Sequence, residues 1–111
     1  MPSVKATREG LIGQTTASLY VIETHVPFIA LPCEQALRRP VRVTANGNSV
    51  IALVLDVGPH YTDDVDYVLG NARPKAETDG SNGAGIDLGE YVHAALGFPE
   101  DNGIVEWEFI G

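Results

Sequence analysis

The sequence predicts a mainly β fold: a small closed or nearly closed barrel of five or six short strands, with one short helix and one long ordered loop. Two features carry that prediction. Short β-branched and aromatic runs are separated by Gly, Pro and Asn, with a hairpin signal near the middle of the chain. Helical patterns do not alternate with the strands, which argues against a Rossmann-like sheet, and closure removes the edges that so many short strands would otherwise expose.

In chain order, Val4–Leu11 reads as a ragged first strand, with residues 1–12 as a whole taken for a loosely packed N-terminal arm. Thr15–Ile22 is rich enough in β-branched and aromatic residues for a strand. The next piece, His25–Pro32, is short, extended and bounded by prolines, which suit a strand edge. The strongest signal follows. Val41 and Val43 alternate with Arg42 and Thr44, Asn46-Gly47 accepts the positive φ values of a tight turn, and Ser49–Leu55 runs back. The return strand is apolar almost throughout and is expected to be central, with both faces covered.

Residues 56–85 lack any period, yet Tyr61, Tyr67, Val68, Leu69 and Pro74 supply anchors, so an ordered loop over one end of the barrel is expected. Asp87, with Glu90 three residues on, has the form of a capping box for a helix whose apolar stripe is Leu88, Tyr91, Val92, Ala95 and Leu96. Gly97 can end it. In the last strand Val105, Trp107 and Phe109 share one face, and Glu106 and Glu108 the other.

The 111 residues fit one domain spanning 1–111. Cys33 stands alone, so no internal disulfide and no cysteine metal cluster can form, and a small buried hydrophobe is the expected role. No secretory signal is visible in MPSVKATREG, and no segment is long enough to insert in a membrane. Charge is uneven. Residues 1–55 carry five bases against three acids, whereas residues 56–111 carry two bases against twelve acids. That balance disfavours nucleic acid and anionic membrane surfaces, and favours a neutral, amphoteric or positively decorated ligand.

Asp56 is the first candidate for chemistry. It ends the most apolar strand, at a rim where partial burial raises a carboxylic acid's pKa, and Gly58-Pro59 fixes the following turn. Capping a turn is an equally good account of it. Asp87 is the second candidate, with helix capping as its default role. Beside Asp56 it would complete an acid and base pair of the sort glycoside chemistry requires. His60 and Tyr61 follow Asp56 closely and are read with Tyr67 and Thr16 as substrate contacts in a carboxylate-lined groove. Trp107 reads as core.

Asp63, Asp64 and Asp66 do not match an EF-hand loop and read as a solvated cluster. His25, His60 and His93 are too scattered for a metal set. No metal and no cofactor is expected.

The stretches Val41–Thr44, Val54-Leu55-Asp56-Val57-Gly58-Pro59, Ala84-Gly85-Ile86-Asp87-Leu88, Leu96-Gly97 and Val105–Phe109 together resemble the rare lipoprotein A-like double-psi β-barrel family. Its superfamily includes expansins, barwin-like proteins and family 45 endoglucanases. The resemblance runs from about Thr15 to the end of the chain. It implies a six-stranded double-psi barrel crossed by a groove, with Asp56 matching the family's essential acid and Asp87 the Asp of an Asp-Leu-Ser element. Gly89 stands where that element has Ser. The family's Ala-His-x-Thr-Leu-Pro segment has its nearest counterpart in Phe28–Pro32, which lacks the His.

The implied activity is peptidoglycan cleavage of the lytic transglycosylase type, with Asp56 as general acid and base, in a secreted or cell-wall-associated protein. The alternatives are a non-catalytic glycan-binding or expansin-like wall-loosening module, and a structural or interaction barrel of a phage component or secreted effector.

Overall fold

The computed structural model describes residues 3–111; Met1 and Pro2, the start of the expected arm, lie outside the described residues. Six strands form a closed barrel: β1 (Ser3–Arg8), β2 (Phe28–Leu31), β3 (Pro40–Ala45), β4 (Asn48–Val57), β5 (Ala84–Leu88) and β6 (Asn102–Phe109). Their order around the barrel is β1-β5-β2-β4-β3-β6. The pairs β1/β5 and β2/β4 are parallel and the other four antiparallel, the interlocked arrangement of a double-psi barrel.

The core follows from alternation. Val4 and Ala6 of β1, Ile29 and Leu31 of β2, Val41 and Val43 of β3, Ala52 and Val54 of β4, Ile86 and Leu88 of β5, and Val105 and Trp107 of β6 fill the interior. Burying each large aliphatic side chain contributes about 1.5–3 kcal/mol before entropy is counted. The hairpin forms as expected: Asn46 and Gly47 take φ of 53° and 77°, and β3 pairs with β4 from Ala45↔Asn48 onward.

Several expectations need correction. Residues 3–8 are not a loose arm: β1 hydrogen-bonds to both β5 and β6. β4 is central by pairing, but only one of its faces is covered, and Ile51 and Leu53 project outward. The run Thr15–Ile22 is not a barrel strand. It belongs to a finger, residues 10–27, closed by the Thr15↔Val21 bridge with flanking amide bonds from Thr16 to Tyr20 and from Ile22 to Gln14, and turned at Leu19, whose φ is 71°. Asp87 is not a helix cap, because it lies within β5. The helix is α2 (Glu90–Ala95), a short element preceded by Gly89.

The long loop does contain structure. Helix α1 (Val65–Val68) packs Tyr67 against the core, and Asp64 is buried rather than solvated, accepting the Lys75 amide at 2.9 Å. Cys33 is buried and free. Among the described residues no helix is long and apolar enough to cross a membrane.

Candidate functional site

The site is built by register. Ala30 of β2 pairs with Asp56 on one side and with Asp87 on the other, and Asp87 pairs in turn with Thr7 of β1. Asp56, Ala30, Asp87 and Thr7 therefore form one row across four strands. Strict alternation from Ala52 and Val54 would bury Asp56 in the core. A bulge, in which Ile29 faces Val54 but Ala30 faces Asp56, inserts Leu55 as an extra residue and turns the acid to the outer face.

β2 is buried on both sides for the same reason. Ile29 and Leu31 point inward, while Phe28 and Ala30 are covered from outside. The finger does the covering, through Tyr20 edge-on to Phe28 (5.3 Å between ring centres). It also grips Asp56. The Ala17 amide donates to Asp56 Oδ1 at 3.1 Å, as does the Val57 amide at 2.9 Å, and the Ser18 hydroxyl donates to the Leu55 carbonyl at 2.6 Å.

A third acid completes the row. Glu9 continues β1 beyond Thr7, with its amide donating to the Leu88 carbonyl at 2.8 Å. Both its carboxyl oxygens are shut off from solvent, and neither has a partner of good hydrogen-bond geometry. Burial, assisted by the charges of Asp56 and Asp87, pushes its pKa up to about 9, which favours the protonated form of Glu9.

Asp87 is also raised, chiefly by burial. The hydroxyl of Thr7, which donates to its Oδ1, and the nearby His60 oppose that shift, whereas Asp56 adds to it. Arg8 does not neutralise the cluster, because it pairs outward with Glu90 at 3.5 Å and Asp101 at 3.1 Å.

The other wall is Gly58–Tyr61. Gly58 has φ of 148°, a conformation that favours glycine, and a Cβ built there would lie 3.8 Å from Asp87 Oδ2. His60 is exposed, also at positive φ (67°), and its Nε2 donates to Asn82 Oδ1 at 2.9 Å. Tyr61 is half-buried and its hydroxyl donates to Asp79. That bond and the Ser81 contacts hold the Asp79 carboxyl down at about 2.

The structure thus brings together Asp56, Asp87 and His60, whereas Thr16 is buried in the finger, its hydroxyl 3.1 Å from that of Ser18. Tyr61 stands at the margin. Tyr67 does not belong. It is only 5% exposed, and its hydroxyl donates to the Gly85 carbonyl at 2.9 Å and accepts from Trp107 Nε1 at 2.8 Å inside the barrel. Glu9 and Thr7 were not anticipated. Nothing local in the sequence marks them, because it is the pairing of β1 with β5 that sets both beside Asp87. Among the described residues no cluster of three metal-ligating side chains occurs.

Solved structures share this architecture. A papain inhibitor from Streptomyces superposes with a TM-score of 0.64 at 17% identity, covering 99% of this chain and 94% of the other. A mutant expansin of Clavibacter michiganensis in complex with cellohexaose gives 0.60 at 14% identity, and cerato-platanin 3 of M. perniciosa gives 0.59 at 10%. This chain spans 51% of that expansin and 95% of that cerato-platanin, and 99% of its own length is covered in both cases. At these identities the likeness establishes the double-psi barrel fold. Among curated protein sequences no relative matches. A family model does match, over residues 2–79, a span that holds Glu9 and Asp56 and stops short of Asp87. By that match the chain belongs to the family described as a domain of unknown function, DUF8814.

Proposed function

We propose that the partly exposed acids of the row, Asp56 beside the finger and Asp87 beside the Gly58–Tyr61 wall, line a glycan-binding groove that holds a neutral polysaccharide chain. The observation that carries this reading is the register itself, which aligns two acids and a hydroxyl on one outer face between the finger and the Gly58–Tyr61 wall. Two strand spacings of ~4.8 Å set the Asp56 and Asp87 positions about 10 Å apart, a span longer than one sugar ring. Carboxylates accept hydrogen bonds from sugar hydroxyls, and a formal net charge of −8 favours an uncharged chain over an anionic one. The complex of a similarly folded expansin with cellohexaose supports the same assignment.

A second reading, glycan cleavage of the rare lipoprotein A-like, lytic transglycosylase type at a cell wall, is favoured by the proton on Glu9. That reading requires the Glu9 side chain, whose carboxyl oxygens are shut off from solvent here, to swing out and protonate the departing glycosidic oxygen. The sugar's 6-hydroxyl oxygen attacks the anomeric carbon to close a 1,6-anhydro ring, and its proton passes to the Asp56 carboxylate.

Cosedimentation with insoluble cellulose, chitin and purified cell-wall sacculi, followed by mass analysis of the supernatant, tests both readings. Binding that falls about tenfold in Asp56→Asn or Asp87→Asn, with no soluble product, is the expected result. Anhydro-muropeptides released by wild type and not by Glu9→Gln would establish cleavage. A protein that stays in solution with all three polymers overturns the glycan assignment.

A further inference from the structure

Away from the acid row lies a cavity of about 390 Å3, walled by Tyr67, Trp107 and Phe109 and rimmed by Leu69–Ala72, with Arg39 at its side. It shares no residue with the row. Its volume falls within the range of small-molecule sites, roughly 300–1,000 Å3. The polar ends of its two largest walls are spent internally: Trp107 Nε1 donates to Tyr67, and Tyr67 donates to Gly85. What they offer the cavity is apolar ring surface.

Among the described residues the only charged group in the lining is the Arg39 guanidinium, whose central carbon sits over Phe109, 3.7 Å from the ring centre. Stacking of this kind fixes the plane and leaves the N–H edge free to meet a carboxylate. That edge makes one long contact, 3.4 Å to the Gly111 carbonyl. Arg8, Arg42, Arg73 and Lys75 pair with carboxylate side chains, whereas among the described residues Lys5, Arg38 and Arg39 hydrogen-bond only to backbone carbonyls, and of these three Arg39 alone lines the cavity. In a chain with fifteen acids and seven bases, a lining with one cation and no acid is a local reversal of sign.

We propose that this cavity is a binding site for a small aromatic monocarboxylate, its ring against Phe109 and Trp107 and its carboxylate on the Arg39 edge. Trp107 is the only tryptophan, so intrinsic fluorescence reads the site directly. The test titrates phenylacetate, benzyl alcohol and phenylethylamine into the full chain, following Trp107 emission and backbone amide shifts. Phenylacetate is expected to saturate, with shifts at residues 69–72 and at the Trp107 side chain. Benzyl alcohol should bind about tenfold more weakly, the worth of a charge-assisted hydrogen bond, and the amine more weakly still. Arg39→Gln should abolish the preference for the acid while leaving the melting temperature within a few degrees. If that variant fails to fold, the comparison of acid with alcohol on wild type still decides. Equal affinity for acid and alcohol, shifts confined to the Asp56–Asp87 row, or no saturable response to phenylacetate would each overturn the proposal.

Discussion

Glu9 sets the pH response of this barrel. Its folded pKa of about 9 lies above the ordinary value of 4.5, so the native state holds a proton that the unfolded chain releases. The corresponding stability is complete below about pH 4.5 and is lost as the pH rises towards about 9. Glu9→Gln keeps the neutral form at every pH. Urea unfolding is therefore expected to give similar midpoints for wild type and variant at pH 4.5, with the variant the more stable at pH 9. Parallel curves at both pH values would show that Glu9 is not the buried acid. Asp56 and Asp87 could be picked out because each adjoins an apolar run followed by glycine. Glu9 could not, because its burial arises from the parallel pairing of β1 with β5, about eighty positions away, and locally it looks like any charge between Arg8 and Gly10. Gly89 shows the opposite case, a departure in sequence that the structure explains. A Cβ there would overlap the Phe28 ring and lie 2.9 Å from the Phe28 carbonyl, so the position cannot take the serine of the similar family while Phe28 stays in place. Gly89→Ser is expected to cost ~1–3 kcal/mol, and Phe28→Val in the same chain should recover part of that loss in a double-mutant cycle.

Local pattern read some elements well and failed where distant pairing decided the outcome. The Asn46-Gly47 hairpin and the last strand carry their own period and turn chemistry, and both stand where the sequence put them. Asp87 and Glu90 have capping-box spacing, so the local pattern points to a helix where β5 stands. Pairing with β1 and β2 wins, and the helix begins only after Gly89. The finger was read as a strand because Thr15–Ile22 has strand composition. No barrel strand is free to accept it, so it lies over Phe28 instead. Helix α1 is four residues long and cannot persist alone. Its anchor is Tyr67, which satisfies both the Gly85 carbonyl and the Trp107 indole. Tyr67→Phe removes one hydroxyl and leaves two buried polar groups without partners. A loss of about 1–3 kcal/mol is expected, read as a lower urea midpoint with unchanged slope, and amide exchange should quicken first across residues 64–72.

Closure of the barrel rests on a seam between the first and last strands, where Ser3 to Thr7 of β1 pair with Glu106 to Asn102 of β6. β6 also pairs with β3, so it has no free edge, and no other strand can take its place. Deleting residues 102–111 would expose β1 and β3 together and withdraw Val105 and Trp107 from the core. Such a chain is expected to show no cooperative thermal transition. The order of synthesis then has a consequence. A nascent chain leaving the ribosome has made the finger, the hairpin and all three acids of the row before the strand that locks them has been translated. Until then β1 waits with one side unsatisfied, a ready template for a neighbouring nascent chain on the same messenger. A pause in translation just ahead of β6 would lengthen that exposure, and a chaperone would have to shield the opening strand until its distant partner arrives.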